Sequence, residues 1–395
     1  GRYDVSEKKE TNTIFIKMIS SFFASRKWAL WAYGGLLVLV LSLVVQTSLN
    51  VAINNWYKSF YDLAQNASDY SEFKELNACQ DRFLEQNNKQ NFNKHTQNFN
   101  QTSSQNFNNK TPASQNPCQE LKNNAINIKI SAFWQEIKTF LFIAMPYVII
   151  YALSVFFASH WCFRWREAMT FAYFNKWKAC KSDIEGSSQR LQEDIYRFAK
   201  ITEDLGLKTL RAIMTLIAFI PVLWGLSNGV DLPFFKDIPG ALVWVALIVS
   251  VGGLIISWFV GIKLPKLEYN IQKSEAAFRK ELVFAEDNKQ NYASLPSMIE
   301  LFSGVKFSFY RLFLHYGYFN IWLISFSQLM VIVPFVIMGV GLFTGVITLG
   351  ILIQVSNAFS QVRESFSVFI ENWTLITELR SIHKRLKEFE QSIKW

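Results

Sequence analysis

Charge is what this sequence has least of. Asp, Glu, Lys and Arg make up 18% of its 395 residues, below the roughly 25% usual in a soluble domain. It contains no G-x-x-x-x-G-K-[ST] phosphate loop, so no segment is built to cradle ATP. None of its four cysteines forms a Cys-x-x-Cys pair, and its four histidines, His95, His160, His315 and His383, miss metal-ligand spacings. Hydrolytic, redox and metal chemistry are therefore not expected: the chain reads as no enzyme, with no cofactor. Gly225-Leu226-Ser227-Asn228-Gly229 spells G-x-S-x-G, but between apolar runs and not on a strand-to-helix turn. It is a chance match. His160 and His315 border apolar runs and read as interface or core residues.

What the chain has instead is apolar length. Half of it is hydrophobic and 16% is aromatic. Gaps between charges mark six membrane spans. Trp28 to Tyr57 is the first, Thr139 to Phe163 the second, Ala212 to Val230 the third and Ile238 to Ile262 the fourth. Leu312 to Val362 carries no charge over 51 residues, too long for one crossing. It divides at Gly339-Val340-Gly341 and Thr344-Gly345 into a fifth and a sixth span. The expected fold class is an all-α membrane protein with six transmembrane helices and long cytoplasmic extensions. The first apolar run follows Lys17, Arg26 and Lys27 and shows no cleavage site, so it reads as a span and not a secretory signal. A start at Gly1 and not Met points to trimming.

Orientation follows from where Lys and Arg fall, not from the net charge of +9. The N-terminal arm, the link from Arg164 to Arg211, the link from Lys263 to Arg311 and the C-terminal tail are all rich in them. The connection between spans three and four has only Lys236, and that between five and six has none. The pattern places both termini in the cytoplasm. Scatter over alternate loops explains the basic residues better than nucleic-acid binding, so no nucleic-acid partner is expected.

In order, residues 1–27 read as a polar tail ending in an interfacial elbow, Ile14 to Phe23, and residues 28–395 as the six-helix transmembrane domain. Residues 65–125 form an external loop. Within it, 86–119 is rich in Asn and Gln, with Gln-Asn-Phe-Asn repeated at 90–93, 97–100 and 105–108. Such a segment buries too little to fold alone and is expected to be disordered. Cys79 and Cys118 flank it. In an oxidising compartment a disulfide between them would tie the segment off, the alternative being two free thiols. Cys162 and Cys180 lie too far apart along the second helix to pair within one chain.

The stretch from Pro239 to Asp287 organises the rest. Ala241 to Ile262 is uncharged over 22 residues, roughly 33 Å of helix and enough to cross a bilayer. The helix is then expected to run on as a charged extension. Glu268, Glu275 and Glu286 share one face of it, whereas Glu281 points elsewhere. The second and third helices extend past the membrane in the same way, and the sixth carries Glu364, Glu371 and Glu378 at seven-residue steps. A charged stripe usually just faces water. The sharper reading is a row of titratable carboxylates lining a large vestibule.

Several motifs carry a resemblance. They are His160-Trp161-Cys162-Phe163-Arg164-Trp165-Arg166, Ile184-Glu185-Gly186-Ser187-Ser188-Gln189-Arg190 and Ala212-Ile213-Met214-Thr215 onward to Pro221. Val260 to Pro265, Glu275 to Glu281 and Asn372-Trp373-Thr374-Leu375-Ile376-Thr377-Glu378 complete the set. Together, over roughly residues 28–65 and 131–390, they resemble the SbmA/BacA family of bacterial inner-membrane peptide transporters. The resemblance implies a homodimer with the fold of an ABC-exporter membrane domain, without a nucleotide-binding domain, in the bacterial inner membrane. It implies proton-driven import of proline-rich peptides, microcins and bleomycin-like compounds, with H+ as the coupling ion. It carries proton coupling onto Glu193 and Glu203 of the third helix, Glu275 and Glu286 of the fourth, and Glu378. Better-known members have further N-terminal membrane helices that this sequence does not show; if this chain works without them, those helices are expected to be inessential to the basic machine. The Asn/Gln-rich insert has no counterpart there.

The expected function is therefore peptide import by alternating access. A glutamate in water titrates near pH 4.3. Desolvation or a neighbouring carboxylate raises that value towards the working range. One charge crossing 100 mV yields about 2.3 kcal/mol, roughly fifty-fold accumulation of a neutral cargo. An anionic vestibule would also attract basic peptides. The arginine-tryptophan-arginine and Ser-Ser-Gln-Arg segments also resemble membrane domains of ABC transporters for fatty-acyl or cobalamin cargo. The alternative is thus the membrane half of an ATP-driven transporter with a separate nucleotide-binding subunit. A passive channel or scaffold fits less well, because buried carboxylates are costly without a function.

Overall fold

The computed structural model describes residues 18–97, 118–180, 187–227 and 238–393. A short helical stretch at 18–23 (α1) precedes α2 (Ala29–Gln65), α3 (Lys74–Gln97), α4 (Gln119–Ala179) and α5 (Ser187–Ser227). Then follow α6 (Ala241–Gly261), α7 (Leu264–Asp287), α8 (Leu295–Phe343), α9 (Leu349–Glu371) and α10 (Trp373–Ser392). No strand occurs among the described residues. Five helical runs are long and apolar enough to cross a membrane: α2, α4, α5, α6 continued by α7, and α8. Where the sixth span was expected, the chain forms the helix α9. Its apolar run is broken by Gln354, Ser356, Asn357, Ser360 and Gln361, so by length and composition alone it does not qualify.

Local chemistry sets several boundaries differently from the sequence reading. α4 begins at Gln119, twenty residues before the expected span at Thr139, and its 61 residues reach about 90 Å, three times a hydrocarbon core. The expected continuous helix from Pro239 breaks at Ile262 and Lys263, where α6 ends and α7 starts. Pro265 then sits in the first turn of α7, where its missing N–H costs nothing. α8 runs straight through Gly339 and Gly341. The chain turns only at Thr344 and Gly345, and Gly345 takes a φ of 74° that other residues resist. α3 also carries helix to Gln97, into the stretch expected to be disordered. Its first half is anchored: Leu76 and Phe83 pack against Leu121 and Ala125, and Cys79 is disulfide-bonded to Cys118. The rest of the Asn/Gln-rich segment, 98–117, lies outside the described residues, as do residues 1–17 with the first part of the expected elbow.

Two apolar cores hold the helices. One gathers Met18 and Phe22 of α1, Trp161 and Trp165 of α4, Ile195 and Phe198 of α5, and Ile382, Leu386 and Phe389 of α10. The Phe22 ring stacks on Trp165, whose Nε1 donates to the Met18 carbonyl at 3.4 Å, so α1 is docked on α4. The other joins Phe219 and Leu223 of α5 with Leu242 and Ala246 of α6 and Val355 and Phe359 of α9. At the disulfide-bearing end, Lys129 donates to the carbonyls of Asn66 and Asp69 and lies over the Tyr70 ring, closing the link from α2 to α3 onto α4. Cys162 and Cys180 are not disulfide-bonded.

α10 is thereby held by a fully buried apolar stripe. Leu386 is fully buried within it, and Leu386→Ala is expected to cost about 2–5 kcal/mol. A fall of several degrees in the thermal midpoint of purified protein in detergent would register that cost, and an unchanged midpoint would mean α10 is not part of the cooperative core.

Candidate functional site

At the end remote from the disulfide, the helices enclose a cavity of about 1010 Å³. That is the upper end of the range for small-molecule sites, about 300–1,000 Å³. Its walls come from the start of α5, the end of α6, α7, the middle of α8 and the junction of α9 with α10. Aromatic faces supply much of the lining: Trp258 and Trp373 meet edge to face at 4.6 Å, beside Tyr269, Tyr316 and Phe319. The buried Nε1 of Trp373 has no hydrogen-bond partner and is a spare donor at the wall.

Five carboxylates line this cavity, Glu193, Glu268, Glu275, Glu371 and Glu378, with four guanidinium groups, Arg190, Arg197, Arg279 and Arg385. The lining is therefore nearly charge-balanced and not the strongly anionic vestibule expected from the sequence. Arg197 ties two walls together, reaching Glu378 on α10 at 2.8 Å and Glu193 on its own helix at 3.5 Å. Tyr316 of α8 donates to Glu268 of α7 at 2.9 Å. Beneath them Asp194 is 1% exposed and accepts two bonds from Arg385, at 2.7 and 3.0 Å, and one from Arg190 at 3.1 Å. A single π-helical turn at Arg190–Asp194 sets this arrangement. Wide turns of this kind recur at functional sites. This one leaves Asp194 inside the protein while its neighbour Glu193 stays half exposed on the cavity wall.

Of the five glutamates expected to couple protons, the structure brings Glu193, Glu275 and Glu378 to this one chamber. Glu203 and Glu286 lie elsewhere. Glu203 is buried on α5 and paired with Lys200 at 2.9 Å. Glu286 is exposed near the far end of α7, since the expected shared stripe reaches the cavity only as far as Glu275 and Arg279. Sequence reasoning missed Glu371 as a site residue, although its seven-residue spacing from Glu378 was the available signal. Glu371 ends α9, roughly 33 Å along from Leu349 and past a hydrocarbon layer of about 30 Å. Partial desolvation, then the charge of Glu364, pushes it above the ordinary carboxylate value. The four arginines gave no periodic signal, because they come from three separate helices.

Long apolar helices that run on past the membrane and close around a charged, aromatic chamber are the build of a multi-pass membrane transporter. The chain belongs to the SbmA/BacA-like family, whose model matches residues 25–85 and 116–394. It is 26% identical over 281 residues to the inner membrane ABC transporter ATP-binding protein YddA of Escherichia coli, a match covering 65% of this chain and 50% of that protein. It is 25% identical over 242 residues to ABC transporter D family member 2, chloroplastic, of Arabidopsis thaliana, covering 58% of this chain and 33% of the relative. An ABC transporter ATP-binding protein of Synechocystis matches at 25% over 217 residues, 53% of this chain and 31% of its own length. The chain thus spans half or less of the length of these relatives.

Hydrogen bonding to Asp194, then the Asp194 charge, holds the Arg385 guanidinium even more firmly charged than usual, against the opposing effect of burial. Arg385→Met would leave Asp194 with Arg190 alone and is expected to cost about 3 kcal/mol, the low end for breaking a buried pair. A double-mutant cycle with Asp194→Asn, read by thermal unfolding, should show strong non-additivity. Additive losses would mean that the two side chains do not act together.

Proposed function

We propose that this chain is a proton-driven importer of peptides and peptide-like antibiotics, working by alternating access as a homodimer in a bacterial inner membrane. Both termini and the cavity end lie in the cytoplasm on this reading, and the disulfide-bearing end faces the periplasm. The observation that carries it is the chamber itself. Carboxylates from α5, α7, α9 and α10 converge on one space large enough for several residues of cargo. H+ is the coupling ion, with Glu193, Glu275, Glu371 and Glu378 as its carriers. Glu203 and Glu286 fall outside the chamber and play a smaller part. With the lining nearly balanced, cargo is recruited by aromatic faces and single ion-pair contacts more than by a long-range field. Membrane lipid is the remaining partner.

A second reading has its own support. The relatives named above are ABC transporter proteins, and the match covers half or less of each. The chain would then be the membrane half of an ATP-driven carrier for cobalamin, acyl or peptide cargo, with a separate nucleotide-binding subunit.

Reconstituted vesicles separate the two. Under an imposed pH gradient without ATP, a labelled proline-rich cationic peptide should accumulate, and Glu275→Gln or Glu378→Gln should slow its entry at least ten-fold. Entry that needs ATP and an added nucleotide-binding protein would establish the second reading. A further consequence concerns pH. Because Glu371 keeps its proton to a higher pH than a free carboxylate, wild-type uptake should fall as the outside pH rises through that raised value. Glu371→Gln, permanently neutral, should flatten that limb of the profile; a superimposable profile would remove Glu371 from the coupling path.

A further inference from the structure

Helix α9 has two faces of opposite chemistry. Towards α5 and α6 it presents Val355, Ala358, Phe359 and Val362, all buried in the second apolar core. Towards α2 it presents a run of hydrogen bonds. Asn357 donates to Asn54 at 2.7 Å and Gln354 to Asn55 at 2.9 Å. At its N-terminus, the backbone N–H groups of Gly350 and Leu349 donate to Asp62 at 3.0 Å and Gln65 at 2.8 Å. The two backbones come very close there. A Cβ on Gly350 would lie 2.2 Å from the Lys58 carbonyl oxygen. The seam is also incompletely satisfied: Asn54 is fully buried and Gln354 is 5% exposed, yet Asn54 Nδ2 and Gln354 Oε1 have no partner.

The two faces part at different costs. Separating an apolar seam into water costs free energy in proportion to the area exposed. Separating a polar seam into water exchanges each hydrogen bond for one to solvent, at a small net cost. The two orphaned amide atoms gain partners in that exchange, which lowers the cost further. Opening towards lipid would forfeit every bond, so this seam parts cheaply only along a water-filled path. We infer that the polar seam between α2 and α9 is the gate through which the chamber opens at the disulfide-bearing end, with α9 staying on α5 and α6 as α2 swings away. The inference rests on the transport reading above and names the interface that must move.

The test uses the full chain with Cys162→Ser and Cys180→Ser, reconstituted in vesicles. Two pairs are introduced separately, Asn54→Cys with Asn357→Cys and Asn55→Cys with Gln354→Cys, so that the second, whose Asn55 is exposed, serves if the first, whose Asn54 is fully buried, fails to fold. Joining either pair with a short reducible thiol cross-linker should cut peptide entry at least ten-fold, and reductant should restore it. Undiminished entry through the cross-linked protein overturns the gate while leaving transport intact. Should the unmodified protein move no peptide at all, the transport reading fails and the gate is judged on labelling alone. Asn357→Cys should react several-fold faster with a membrane-impermeant maleimide, added at the disulfide-bearing side, when that side is acidified in the presence of the peptide. Labelling that stays constant, or that occurs only from the opposite side, overturns it.

Discussion

A bilayer offers no water to satisfy a polar group, so polar side chains in these helices can sit only against one another or against an aqueous space. Much else in the structure depends on that constraint. α2 carries Gln46, Asn54, Asn55 and Asp62 on a helix otherwise apolar enough to span, and each is turned to a partner on α4, α5 or α9. The outer surfaces are left with apolar residues such as Leu37, Phe142, Ile217 and Phe259, all widely exposed. Apolar contacts between helices hold position, as in the aromatic cluster around Trp161 and Trp165. Polar contacts are cheaper to exchange for water, which is why the gate inferred above is set at the seam between α2 and α9.

The same division operates at the charged end. Asp194 is buried so deeply that it needs Arg385 and Arg190 to be tolerable there, and by taking them it fixes α10 against α5. That frame holds Glu378 and Arg197 at the wall of the chamber and leaves Glu193, Glu275 and Glu371 without a close salt-bridge lock of similar quality. One carboxylate is thus locked in a buried ion pair, and its neighbours face the chamber. Sequence position does not separate them: Glu193 and Asp194 are adjacent, and only the π-helical turn gives them different surroundings.

The all-helical build, five of the six expected spans and the motifs that mark the family were readable from charge gaps and spacing, because a span must be about twenty residues of low charge. So was the existence of a carboxylate-lined space, from the seven-residue steps. Which glutamates line it was not. Glu286 shares a helical face with Glu275, yet α7 leaves the chamber before reaching it, and Glu203 is claimed by a lysine three residues earlier on its own helix. Those outcomes depend on where two helices cross and on a local pair, neither of which periodicity encodes. The break at Ile262 and Lys263 was hidden for a related reason: a proline two residues into a helix reads the same whether it starts a new element or kinks an old one.

The bond between Cys79 and Cys118 has an evolutionary consequence. It joins the base of α3 to the foot of α4, so the residues between the two sulfurs begin and end at one spot whatever their number. Doubling the length of such a closed segment adds only about 0.6 kcal/mol of closure entropy. Replication slippage in a run of Asn and Gln codons would therefore be nearly invisible to selection on folding. The staple converts that stretch into neutral genetic territory, where length polymorphism between strains should accumulate and an epitope for surface detection could be spliced in without disturbing the membrane helices.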